Sequence, residues 1–252
     1  MKSGHYNNTL KNVIGNKAGE AAELAWLSKN KLNSDSFDFG ALYNISTLLT
    51  KPTFAAFLQS AYLKKIKLGA AWSGDSEVNG VIAFNTGKSD AGKIQFLVSE
   101  IEDYTTTTPA QFKTLLVNNY IKAKAHGIPF GVYEGWSKQY DMIVQNSDFL
   151  FLHCYRTPVQ IARPDDAFNY CSGRLAAYAA SAAAAGKIYP VSIIYSSEPA
   201  FGQSYFTANS FQSAHDLFLK SYAKNATASM KRWLIIDGQQ VFVTSYSQKC
   251  KP

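Results

Sequence analysis

The amino-acid sequence predicts an α/β protein, a single (β/α)8 TIM barrel that occupies residues 1–252 as one domain. Short, largely apolar strand candidates alternate with helical patterns about eight times, which is typical of βαβ units and a parallel sheet. A length of 252 residues also suits one such barrel. An open doubly wound sheet would need a glycine-rich phosphate loop after an early strand, and the sequence contains no G-x-G-x-x-G motif.

The first half of the chain supplies four of the strand candidates. They are predicted at residues 10–14, 37–44, 68–73 and 96–104. A helix over residues 17–28 follows the first strand, because its apolar residues recur with a helical period. Pro52, a residue favoured in a first turn, begins the next helix, and a short helix is predicted after Asp75. A further helix begins at Thr108 and ends before Gly127, since glycine suits the left-handed cap.

The second half of the chain supplies the other four strands. They are predicted at residues 129–134, 149–155, 189–196 and 233–237. Helices are predicted over residues 165–185 and 210–223, between these strands. The strands are apolar on both faces, as expected for a parallel sheet that is covered on both sides.

The composition excludes several classes of protein. With 46% hydrophobic and 17% charged residues, the chain can bury a core and is not disordered. The net charge of +7 is spread over pairs such as Lys64 and Lys65 instead of a cluster, so we expect no nucleic-acid partner. No stretch approaches the roughly 20 apolar residues of a membrane span. We therefore expect no membrane span.

We expect no cofactor and no metal. The four histidines are scattered, and Cys154, Cys171 and Cys250 match no metal or redox spacing. One pair of these cysteines could form a disulfide, and the sequence leaves open which one. The first residues are polar and do not form a secretory signal. We nevertheless expect a secreted or periplasmic monomer, with a cytoplasmic location as the alternative.

Two glutamates stand two residues apart at the end of the fourth predicted strand. Residues i and i+2 of an extended chain point to the same face, so Glu100 and Glu102 would project together. A carboxyl held beside another carboxylate has a raised pKa, which suits proton donation to a glycosidic oxygen. We therefore predict Glu102 as the general acid, with Glu100 one layer deeper. Glu134, at the end of the next strand, is the candidate second carboxylate.

Polar and aromatic residues are predicted at the carboxyl ends of most other strands. In a closed barrel these ends face one mouth, where the active sites of barrel enzymes lie. The residues predicted to bind substrate there are Tyr43, Asn44, Trp72, Trp136, His153, Tyr155 and Tyr195. The two tryptophans and Tyr195 are predicted to stack on sugar rings. Tyr155 would steady the reacting sugar, and His153 would orient a carboxylate.

Each of these residues also has a structural alternative. The two glutamates of the fourth strand could pair with Lys93, Arg156 or Arg232, because ion-pair networks place carboxylates in the same way. His153 could be a hydrogen-bonded core residue, and Glu134 could cap a loop. The aromatic residues could simply pack at the top of the barrel.

The strand end over residues 98–102, Val-Ser-Glu-Ile-Glu, resembles the fourth barrel strand of family 18 glycoside hydrolases, the chitinases and endo-β-N-acetylglucosaminidases. The motif of that family is D-x-x-D-x-D-x-E, in which the last Glu is the acid and the preceding Asp holds the substrate acetamide. The resemblance implies that Glu102 takes the place of the acid and Glu100 that of the adjacent Asp. Tyr155 is similar to the tyrosine that the family carries on strand six. The chain also resembles compact glycosidase-like barrels of secreted bacterial proteins.

We therefore expect a glycoside hydrolase that acts on glycans, those with N-acetylglucosamine among them, with carbohydrate as its partner. The alternative is a non-catalytic barrel with an eroded active site that binds glycans or a protein. Gln95, Val98 and Glu100 favour this alternative, because they stand where the family motif has its three aspartates. A barrel lyase or phosphodiesterase would need paired histidines or metal carboxylates, which the sequence lacks.

Overall fold

The structure is a computed structural model, and it describes most of the chain. The described residues are 2–7, 10–29, 38–99, 101, 107–134, 138–154, 164–196 and 208–243. Four of the predicted site residues, Glu100, Glu102, Trp136 and Tyr155, lie outside this part of the chain.

Eight parallel strands form one sheet. They are β1 (Lys2–Asn7), β2 (Asp38–Leu42), β3 (Ile66–Trp72), β4 (Leu97–Ser99), β5 (Phe130–Glu134), β6 (Phe149–His153), β7 (Tyr189–Ser196) and β8 (Leu234–Val243). Each strand pairs with the next in chain order, and β1 also pairs with β8, where Gly4 lies opposite Gln240. The sheet therefore closes into a barrel.

Helices follow the strands and pack on the outside of the sheet. They are α1 (Leu10–Val13), α2 (Lys17–Lys29), α3 (Ile45–Leu49), α4 (Phe54–Leu63), α5 (Asp75–Asn85), α6 (Pro109–Ala125), α7 (Tyr140–Gln145), α8 (Pro164–Ala184), α9 (Phe211–Asn225) and α10 (Ala228–Trp233), with a 3₁₀ turn at Asp90–Gly92. Among the described residues, no helix is both long enough and apolar enough to cross a membrane.

The predicted α/β class with a parallel sheet is confirmed. Residues after 243 lie outside the described part of the chain, so the eighth strand–helix unit of the full (β/α)8 repeat stays a prediction. The predicted end of α6 is confirmed, because Gly127 follows the helix with a φ of 65°. At the start of α6 the Thr108 hydroxyl accepts a hydrogen bond from the backbone N–H of Gln111, which completes a capping box.

One strand prediction is wrong, and another is too short. Residues 10–14 were predicted as the first strand, but Leu10–Val13 is the helix α1, and β1 is the polar segment Lys2–Asn7. This segment lacks apolar alternation, and its pairing with β2 and β8 on its two sides makes it a strand. The eighth strand was predicted over residues 233–237 but begins at Leu234 and continues to Val243. Asp237 therefore lies near its amino end instead of its carboxyl end.

The core has two parts, one on each face of the sheet. The larger part fills the space between sheet and helices and includes Leu97, Phe130 and Val132. The smaller part fills the barrel lumen and consists of Ala41, Ala71, Phe96, Val98, Tyr133, Phe151 and Ile194, with Tyr43 and Phe149 packed against it. Neighbours along one strand, such as Val132 and Tyr133, belong to different parts, as the period of two requires. Membership of these two parts shows which side chains can reach the mouth.

Candidate functional site

The lumen face of the barrel carries three polar rings near the carboxyl ends of its strands. They are Tyr43 just after β2, Tyr133 on β5 and His153 on β6, and we call them the mouth cluster. The centroids of the Tyr133 and His153 rings are 6.2 Å apart, and Tyr133 also lies 5.0 Å from Phe151 below it. Tyr43 packs against the same lumen residues. Two of the predicted residues, Tyr43 and His153, are thus brought to one face.

The end of β6 is attached to α8 in two ways. The Arg174 guanidinium donates a hydrogen bond to the backbone oxygen of His153 at 2.5 Å. The next residue, Cys154, forms a disulfide with Cys171, and the two Cα atoms are 5.2 Å apart. Arg174 also lies over the ring of Tyr170, with its Cζ atom 5.2 Å from the ring centroid. These contacts fix the backbone that carries the His153 ring.

Glu134 lies on the other face of β5. It follows Tyr133, so it shares the helix-facing side with Val132, and only 2% of it is exposed. The nearby side chains come from α7 and α8. Burial, together with the Glu134 carboxylate, raises the pKa of Tyr178 well above its ordinary value and also raises that of Tyr140. The structure therefore does not bring Glu134 together with the mouth cluster, and its predicted role as a second carboxylate is not favoured by this position.

Trp72 and Tyr195 also belong to the core between sheet and helices. Their exposed fractions are 1% and 0%. The Trp72 ring lies 5.3 Å from that of Phe130, and the Tyr195 ring 6.3 Å from that of Phe218 on α9. Because stacking on a sugar needs an accessible ring face, this placement does not favour the predicted role of either residue.

Asn44 is exposed and precedes α3. Its φ of 55° and ψ of 40° are left-handed, a conformation that asparagine tolerates better than most residues. The side-chain oxygen accepts a hydrogen bond of 3.4 Å from Lys11 Nζ. Its backbone oxygen accepts from the first turn of α3. Asn44 thus begins a helix beside Tyr43, and its predicted contact with substrate stays a prediction.

The predicted general acid follows directly from a described strand. β4 ends at Ser99, and Val98 lies on the lumen face. The register places Val98 opposite Gly131 of β5, two residues before Tyr133. Glu100 and Glu102 lie outside the described residues, so their roles stay predictions. Lys93, one of their proposed ion-pair partners, instead contacts Asp90 at 2.9 Å, at the amino end of β4.

Sequence reasoning missed two residues of this region. Tyr133 could have been found from the period of two, because it alternates with Val132 and Glu134 along β5. Arg174 gave no signal, since a single arginine within a helical pattern does not indicate which backbone oxygen it reaches. No group of three or more His, Cys, Asp or Glu side chains in the described part of the chain could hold a metal ion.

Comparison with solved structures identifies the class of fold. No protein-family model matches the sequence, and a search of curated proteins finds no match to it. The chain is similar in structure to an active-site mutant of the β-1,3-glucanosyltransferase of Rhizomucor miehei in complex with laminaritriose. The TM-score is 0.57 at 14% identity, covering 96% of this chain and 86% of that one. It is also similar to an engineered protein, with a TM-score of 0.53 at 12% identity, covering 99% of this chain and 65% of that one.

These similarities show the fold alone, which this chain shares with a β-1,3-glucanosyltransferase and an engineered protein. The predicted resemblance to glycoside hydrolase-like barrels is thus confirmed for the fold. Membership of family 18 stays a prediction.

Proposed function

We propose that this chain is a glycan-active enzyme, a single (β/α)8 domain over residues 1–252 that hydrolyses glycosidic bonds at its mouth. The observation that carries the proposal is the mouth cluster on the lumen face, beside the end of β4. Tyr133 and His153 lie on the two strands that follow β4 in the barrel, so both lie to one side of the strand end from which the sequence continues into the two glutamates. The fold similarity to a β-1,3-glucanosyltransferase supports the proposal.

In this proposal Glu102 protonates the leaving oxygen, and Glu100 raises the pKa of that acid by its negative charge. Val98 lies on the lumen face, and the period of two of an extended chain would continue that face to both glutamates. The partly buried ring of Tyr43 would pack against the sugar, whereas the buried ring of Tyr133 would support the His153 ring. Since Glu134 lies on the helix side, the acetamide of an N-acetylglucosamine-containing substrate would stabilise the positive charge that develops at the sugar.

We also propose that the protein works outside the cytoplasm. The Cys154–Cys171 bond supports this location, because disulfides persist in oxidising compartments such as the periplasm and the cell exterior. The disulfide joins the end of β6 to α8, so the same bond would hold His153 in place at the mouth.

The test is hydrolysis of chromogenic glycosides and chito-oligosaccharides by the wild type and by Glu102→Gln, which keeps the shape of the side chain but removes its proton. We expect turnover to fall on the order of a hundredfold or more. Asp90→Asn is the matched control, because Asp90 is exposed and lies at the opposite end of the barrel. Glu134→Gln should retain turnover if the fold is retained.

Three outcomes would contradict the proposal. Equal turnover by the wild type and Glu102→Gln would show that another group donates the proton to the leaving oxygen. Loss of turnover in a folded Glu134→Gln variant would make Glu134 the catalytic carboxylate. Glycan binding without any turnover would favour the alternative, a binding barrel with an eroded site.

A further inference from the structure

A cavity of about 240 Å³ opens at the amino-terminal end of the barrel, away from the mouth. We call it the amino-end pocket. The residues that line it include Lys67, Phe96, Phe149, Phe151, Ser192 and Asp237. Phe96 directly precedes β4, and the other five lie within the first four residues of β3, β6, β7 and β8. None of them takes part in the proposed glycan chemistry, so the pocket needs its own explanation.

Three phenyl rings form the floor of this pocket. The Phe96 ring meets Phe149 edge-on, with centroids 5.8 Å apart, and meets Phe151 edge-on at 6.2 Å. The neighbouring strands make room for two of these rings. A Cβ atom on Gly69 would lie 2.2 Å from the Phe96 ring, and one on Gly131 would lie 2.1 Å from the Phe149 ring. The aromatic floor therefore depends on glycine at two positions.

A β-bulge places a carboxylate beside this floor. Val191 of β7 pairs with Ile236 of β8, whereas the next residue, Ser192, pairs with Gly238. Asp237 is therefore the extra residue of the bulge, and bulges of this kind redirect a side chain. Asp237 and Ser192 both line the pocket and supply oxygen atoms as hydrogen-bond acceptors.

The size and chemistry of the pocket define a class of ligand. A cavity of about 150 Å³ with apolar walls binds benzene, so 240 Å³ is enough for one ring or two fused rings. Edge-to-face phenyl rings favour an aromatic guest. A sugar would bury hydroxyl groups on every side, and burying them without partners costs free energy. We propose that the amino-end pocket binds a small aromatic molecule with one hydrogen-bond donor, of the indole or phenol class.

The test is titration of the whole protein with 5-fluoroindole, followed by fluorine NMR. Wild type should show saturable binding at one site. Two variants fill the pocket from different walls, Ser192→Phe from β7 and Gln95→Trp from the segment before β4. Each should weaken binding at least about tenfold. Gln59→Trp, on the exposed side of α4, is the matched control and should bind as the wild type does.

The donor is tested with 5-fluoro-1-methylindole, which has no N–H group. It should bind on the order of tenfold more weakly than 5-fluoroindole, because a hydrogen bond to an oxygen acceptor is lost. Far-UV circular dichroism and the urea midpoint show which variants keep the fold. Two filling variants are used so that the pocket can still be tested if one of them does not fold.

Any of three results would overturn the proposal. The first is no saturable binding of 5-fluoroindole by folded wild type. The second is unchanged affinity in a folded variant with a filled pocket. The third is displacement of 5-fluoroindole by N-acetylglucosamine, which would make the pocket a sugar site.

Discussion

His215 is expected to make the fold sensitive to acid. It lies on α9 with 0% of its surface exposed, and neither ring nitrogen has a hydrogen-bond partner among the described residues. Burial lowers the pKa of His215 from 6.5 to about 4, although the carboxylates of Asp216 and Asp237 act in the opposite direction. The neutral ring is therefore the form that the folded protein holds near neutral pH.

The sign and size of the effect follow from linkage. As the pH falls from 6.5 towards 4, the unfolded chain binds a proton on this ring and the folded chain does not. The free energy of unfolding therefore decreases over that interval. A pKa shift of this size corresponds to about 3 kcal/mol. This stability is fully present above pH 6.5 and is lost as the pH falls through the folded-state value.

The assay is urea unfolding of the wild type and His215→Leu at about pH 7.5 and about pH 4. The wild type should lose about 3 kcal/mol more than the variant between the two conditions, because the remaining titrating groups are common to both. His126→Leu removes an exposed histidine and should follow the wild type. Equal losses in the wild type and His215→Leu would refute the reasoning, since they would show that the folded protein accommodates a protonated ring at this position.

Two further predictions concern stability. Gly69→Ala should lower the free energy of unfolding by about 1–3 kcal/mol, because its methyl group would lie 2.2 Å from the Phe96 ring in a packed lumen. The control Gly173→Ala, whose Cβ would meet nothing within 4 Å, should be neutral or slightly stabilising in urea unfolding. Cys154→Ser should cost about 3 kcal/mol, since the bond to Cys171 closes a segment of 17 residues. Adding a reductant to the wild type should reproduce that loss, and an unchanged midpoint in the reduced protein would contradict it.

The order of strands and helices was predictable where the sequence is apolar and periodic. Seven of the eight strands, β2 to β8, overlap predicted ones, because their apolar runs are bounded by clear turns. β1 could not be found in this way, since the segment Lys2–Asn7 is polar and becomes a strand through pairing on both sides. The length of β8 was missed for a related reason. The bulge at Asp237 and the glycine after it read as the end of a strand.

The candidate site was less predictable because a parallel strand is apolar on both faces. A polar or aromatic residue at a strand end can then face either the lumen or the helices. Trp72, Glu134 and Tyr195 were selected on position along the strand, and the structure places all three on the helix side. His153 was selected by the same criterion and lies on the lumen side.

Glycine supplies the information that the apolar pattern lacks. A lumen crossed by large rings needs positions without a side chain, and Gly69 and Gly131 are such positions, because Phe96 and Phe149 occupy the space of their missing Cβ atoms. Because residues i and i+2 of a strand point to the same face, Tyr133 shares the lumen face with Gly131 and lies at the carboxyl end of β5. A glycine in an apolar strand marks close approach of another group. Counting from it by twos selects Tyr133 over Glu134 as the residue of β5 that faces the mouth.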